Sequence, residues 1–146
     1  MGAPDFNTDD LLEQAKGNQT ALWYLAARRA REQEGSVEGW ASYVGEDFAP
    51  SWDGMGDHAS ALDIATQAAM NMATTADMRV LDVSGSQARA VVVVEGPEQE
   101  WIDQMKANLE DLDRVNEVIF LAIAKRRGLT YTQERDGQTV RMTVAR

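Results

Sequence analysis

Residues 78–95, MRVLDVSGSQARAVVVVE, and residues 129–144, LTYTQERDGQTVRMTV, decide the fold of this chain. Each is a pair of runs rich in Val, Thr and Tyr around a short turn, the composition of a pleated, half-buried ribbon. In the first, Gly85-Ser86 predicts a two-residue hairpin turn joining 78–84 to 87–95, a register that sets Asp82 opposite Arg89. In the second, Asp136-Gly137 joins 129–134 to 139–144, because Asp-Gly satisfies the positive φ that tight hairpin turns demand. Pairing about it sets Leu129 against Val144 and Tyr131 against Met142 on one face. Thr130, Thr132, Arg141 and Thr143 take the other, as in a sheet wetted on one side. The unbroken run Val91 to Val94 predicts a central strand covered on both faces.

Between the hairpins, Gly96-Pro97 ends the first ribbon and opens a helix over 98–127, stopped by Gly128. Thirty helical residues would span about 45 Å, too long for one small sheet. Such a helix either breaks in the middle or projects to meet a partner. Its apolar stripe (Trp101, Met105, Leu109, Leu112, Ile119, Ile123) is interrupted by Asn116. That residue suits either a coiled-coil seam that tolerates one polar side chain or an ordinary solvent-facing position.

Working outward to the N-terminus, Thr20 reads as the cap of a helix that Gly35 closes, with Leu22, Leu25, Ala26 and Ala30 at helical spacing. A second short piece over 37–43 carries Trp40. Residues 45–57 hold three glycines and Pro50, and are expected to form a long functional loop bearing Phe48, Trp52 and Met55. Asp57 is then expected to cap a helix that starts at His58 and runs to about residue 74. The fold expected is α+β: N-terminal helices, a hairpin, a long helix and a second hairpin. The two hairpins form a four-stranded antiparallel sheet with helices packed mainly on one face. Residues 1–18 are read as a polar N-terminal segment, helical at most from 8 to 16, and 19–146 as a single α+β domain. That order of elements, over roughly residues 20–146, is similar to the ligand-binding layer folds of vinyl-reductase-type and Bet3-like domains. The likeness rests on topology alone, and the cysteines common in the vinyl-reductase type are absent here.

Composition narrows the function classes. At 146 residues the chain suits one core. It has no cysteine, which excludes disulfides, thiolate metal sites and a cysteine nucleophile. The net charge of −10 repels phosphate backbones and anionic lipid, so neither nucleic acid nor membrane is an expected partner. The two basic clusters, Arg28, Arg29 and Arg31, and Lys125, Arg126 and Arg127, fall where helices end and are read as complements to the helix dipole. The start, Met1-Gly2-Ala3-Pro4-Asp5-Phe6, lacks the basic and apolar regions of a signal peptide, and Phe6 stands where a myristoylation motif wants Ser or Thr. A cytoplasmic location is the resulting expectation.

Chemistry-bearing motifs are few. There is no phosphate loop, no dinucleotide fingerprint and no nucleophile elbow around any serine. The single histidine, His58, beside Asp57, is the weak catalytic candidate; a lone histidine completes no ordinary metal site, so neither metal nor cofactor is expected. The aromatic and methionine side chains say more. Trp23, Trp40, Phe48, Trp52, Met55 and Met70 are the candidate ligand-binding residues, lining an apolar pocket expected between the N-terminal helices and the sheet. A domain that binds or senses an apolar small molecule is thus the first functional expectation. The second is a homodimeric interaction module, paired through Val118, Ile119, Phe120, Leu121, Ile123 and Ala124 of helix 98–127. The third is a small enzyme using His58 with a nearby carboxylate.

Overall fold

A computed structural model describes residues 4–146. Met1, Gly2 and Ala3, on which the reading of a leader or lipid anchor partly rests, lie outside the described residues. In chain order the elements are α1 (Thr8–Glu34), α2 (Glu38–Ser51), a 3-10 turn (Trp52–Met55) and α3 (Ala61–Thr75). Next come β1 (Arg79–Gly85), β2 (Arg89–Glu95), α4 (Gln99–Gln104), α5 (Leu109–Arg126), β3 (Thr130–Asp136) and β4 (Thr139–Ala145). The four strands form one antiparallel sheet in the order β1-β2-β4-β3, so the α+β reading holds.

Both hairpins form, each in a register other than the one the turn residues suggest. In the first, Gly85 pairs with Ala90 and Asp82 with Val93, so Asp82 does not face Arg89. The loop spans residues 86–89, where the Ser86 hydroxyl accepts from the Ala88 N–H at 3.2 Å, and a bulge at Leu81 shifts the remaining pairs. Gly85 is required there, since a Cβ would stand 2.3 Å from the Arg89 carbonyl oxygen. In the second hairpin Gly137 and Gln138 occupy the turn and Tyr131 pairs with Val144, two residues along from the expected partner. Gly137 takes φ +59 at the first turn position, the preference of a II′ turn. A slide of two residues keeps every side chain on its face, and Tyr131, Val140, Met142 and Val144 do point to the core.

One face of the sheet carries the helices and the other is open. Val92 and Val94 are buried, whereas Val91 and Val93 are half-buried on the open face between polar neighbours such as Thr143 and Arg141. The run is therefore covered on one face, not two. α3 and α5 lie directly on the sheet, and α1 and α2 form an outer layer on them. α3 manages this through Ala61, Ala65, Ala68 and Ala69, whose small side chains let the sheet and α1 approach together.

Helix boundaries follow caps more than glycines. α1 runs unbroken through Gly17 and Thr20, because Asn7 caps it by accepting from the Asp10 N–H at 2.9 Å and the left-handed position falls to Gly35, φ +76. A glycine inside a helix costs only about 1 kcal/mol, which 27 residues absorb. The polar segment expected over 1–18 is thus, from Thr8 onward, part of a long helix. α2 likewise extends through the expected loop. Pro50 sits one residue from its end on the exposed side, where water can reach the Glu46 carbonyl left without its helical donor. α3 begins at Ala61, not His58: Ser60 and Asp63 form a capping box, and Asp57 caps nothing. The expected long helix breaks, with Lys106 at φ +51 and Asn108 capping α5 through the Asp111 N–H at 3.1 Å. No helix of the described residues is long and apolar enough to cross a membrane.

Candidate functional site

α5 is covered on both sides from within the chain. Ile119, Phe120, Ile123 and Ala124 are buried between the sheet and α2. The surface on which a dimer seam along this helix depends is therefore occupied, apart from the half-buried Val118 and the exposed Leu121. Asn116 is neither in such a seam nor in solvent. It is 7% exposed, and among the described residues no group hydrogen-bonds to its side chain.

The reason lies in a partly open cavity of about 70 Å³ lined by α1, α2, the 3-10 turn, α3 and α5. Its apolar walls come from Trp23, Trp52, Met72, Ile119, Phe120 and Ile123. Its polar groups are Asn116 from α5, Asn71 and Thr75 from α3, and Gln19 from α1. No strand contributes to this cavity, which lies among the helices. No charged side chain lines it either.

Each wall follows from local sequence. Trp23 is on the inner side of α1 with Tyr24 and Ala27, and its ring meets Trp40 of α2 at 5.0 Å between centroids. Trp52 is held edge-on to Phe120, with centroids 6.2 Å apart and planes at 77°, and Phe120 in turn packs on Tyr131 of β3 at 5.6 Å. The 3-10 turn that carries Trp52 is pinned from α5: Arg126 makes a two-pronged pair with Asp53, through Nε at 2.9 Å and Nη2 at 2.5 Å, and Arg127 donates to the Gly56 carbonyl. The Arg126 guanidinium holds the Asp53 carboxyl below its usual range. The other basic cluster is similarly engaged, with Arg31 paired to the buried Asp111.

The hydrogen-bond inventory of the cavity is incomplete in one telling way. The Trp23 indole Nε1 is buried and has no partner, a state that costs about 1–3 kcal/mol. Asn71 spends its amide N–H on the Gln67 carbonyl at 2.9 Å, which leaves its oxygen as an acceptor. Asn71 and Asn116 thus bring an acceptor and an amide with both capacities to the cavity, while the Trp23 N–H lies buried in its wall. The arrangement combines this amide hydrogen-bonding capacity with the Thr75 hydroxyl, and no side chain that titrates lines it.

Of the residues predicted for a pocket, Trp23, Phe48 and Trp52 line this cavity. Met55 lines a neighbouring surface cavity of about 360 Å³ that shares Phe48, Trp52 and Asn71 with the first. Trp40 backs Trp23 without lining either, and Met70 is 56% exposed on the outer side of α3. His58 and Asp57 are both exposed, line neither cavity and make no side-chain hydrogen bond among the described residues. Among those residues, too, no three His, Asp or Glu side chains converge as a metal site. Asn71, Asn116 and Gln19 were missed as lining residues. The available signal was Asn116 itself, a polar interruption of an apolar stripe. No known protein family matches the chain, and no curated protein matches it in sequence.

Proposed function

We propose that this chain is a small-molecule binding or sensing domain whose site is the cavity among α1, α2, α3 and α5. The observation that supports it is the grouping of Asn71 and Asn116 with Trp52, Ile119 and Phe120 at one cavity, with the unpartnered Trp23 Nε1 buried in the same wall. The ligand is uncharged, since no charged side chain lines the walls to neutralise it. It carries a hydrogen-bond acceptor for the indole N–H on a mostly apolar body. At about 70 Å³ the cavity is well below the roughly 300–1,000 Å³ of sites for drug-sized ligands. A ligand of more than a few heavy atoms therefore displaces Phe48 and Trp52, the side chains common to this cavity and its larger neighbour.

The test is a screen of small neutral ketones, amides and lactones by two-dimensional NMR, read at the indole N–H signals of the four tryptophans. Binding shifts the Trp23 signal first, and Asn116→Leu abolishes the shift. A screen in which no compound moves that signal, or in which Asn116→Leu binds as well as the wild type, removes the proposal.

A further inference from the structure

α1 has two apolar faces, and the fold uses one. The inner face buries Thr20, Tyr24, Ala27 and Ala30. On the opposite side Leu11, Ala15, Asn18, Leu22, Leu25 and Arg29 recur at spacings of four, three, four, three and four, and all six are exposed. Leu11 is 52% exposed and Leu22 67%. A stripe of this period extends about 27 Å along the helix and matches one seam of a two-helix coil, with a single Asn near its middle.

We infer that this stripe pairs with the same stripe of a second copy of the chain, the two α1 helices running antiparallel. Charge selects both the partner and the direction. The first turns of α1 carry Asp9, Asp10 and Glu13, whereas Arg28 and Arg29 lie near its end. Arg29 is exposed and pairs with no carboxylate among the described residues. Antiparallel pairing seats Leu11 between Leu25 and Arg29 of the second copy and Ala15 between its Leu22 and Leu25. Asn18 meets Asn18 and Leu22 near the twofold axis. The same offset brings Arg29 beside Asp10 of the second copy at both ends of the seam. Parallel pairing would instead set acidic turn against acidic turn and Arg29 against Arg29, which is repulsive. A self-complementary patch of this kind closes as a twofold dimer.

Light scattering of the purified chain across a dilution series tests the pairing. The wild type should reach twice the chain mass at high micromolar concentration. Leu22→Glu should remain monomeric with an unchanged helical circular dichroism spectrum, and Leu11→Glu serves if that variant fails to fold. Leu121→Glu, at an exposed site on α5, should dimerise as the wild type does. Arg29→Asp should weaken the dimer at least tenfold, and adding Asp10→Arg to it should restore most of the loss. A monomeric wild type, a dimer indifferent to Leu22→Glu and Leu11→Glu, or a charge reversal without rescue overturns the inference.

Discussion

Gly45 of α2 lies so close to Ile119 of α5 that a Cβ added to it would stand 3.3 Å from the Ile119 Cα and 3.2 Å from the Ala122 Cβ. The contact sets the distance between the outer helical layer and the one below it, and with it the size of the cavity that Phe48 and Trp52 help to close. Gly45→Ala asks the neighbours for a few tenths of an ångström and gains helix propensity of about 1 kcal/mol, so it is expected to be nearly neutral. Gly45→Val overpacks the crossing and is expected to cost about 1–3 kcal/mol. Urea melts of the two variants measure the difference, and equal midpoints would show that α2 does not pack as described.

Capping gives a second ranking. Ser60 and Asn108 each accept a backbone N–H at a helix start, so either alanine substitution should cost about 0.5–2 kcal/mol. Asp57→Ala and His58→Ala, at exposed positions outside any cap, should stay within about 0.5 kcal/mol of the wild type. Thermal melts of the four variants check this order, and a costly His58→Ala would reopen a role for that side chain.

Asp77 governs a pH effect. It sits at φ +55 and is partly buried, and its carboxyl is pushed upward, first by burial and then by the nearby Glu98. A carboxyl whose folded pKa is raised contributes its stability below the unfolded pKa and loses it as pH rises through the folded value. The charged form at neutral pH is thus the destabilising one. Asp77→Asn removes the charge and keeps a residue tolerant of the left-handed region. It should raise the melting temperature at pH 7 and leave it nearly unchanged at pH 3. A decrease at pH 7 would assign Asp77 a contact that its charge sustains.

The cavity sets stability against binding. Asn116→Leu replaces a largely buried amide on the cavity wall with an apolar group of similar size and should stabilise the empty protein by about 0.5–2 kcal/mol. If the site is as proposed, the same substitution removes ligand binding. Denaturant melts with and without ligand separate the two effects. A destabilised Asn116→Leu would mean that the amide is already satisfied in the empty state.

The sheet was legible in the sequence because alternation has a period of two. The slide of the second hairpin left Tyr131, Met142 and Val144 on the faces their pattern assigns, although the turn chemistry pointed to the wrong pairs. Helix ends were less legible. Gly17, Pro50 and Asp57 are the usual punctuation marks, and each was outweighed by packing or by a better cap nearby. Ser60 with Asp63, and Asn108 three residues before Asp111, carried the true signals. The aromatic part of the candidate site could be read from Trp23, Phe48 and Trp52 clustering early in the chain. Its amides could not, because Asn71 and Asn116 come from helices that meet only after the chain has folded.

The strand order β1-β2-β4-β3 also bears on how the chain reaches its native state. Each hairpin joins strands that are neighbours in sequence and can zip locally. The β2–β4 ladder, from Arg89 against Ala145 to Glu95 against Thr139, must close a loop containing α4, α5 and β3. Loop closure of that length carries an entropic cost that local turns avoid. The transition state should therefore be the meeting of two preformed hairpins. Substitutions at the buried positions Val92, Val140 or Met142 within the hairpins should therefore slow refolding more than they hasten unfolding.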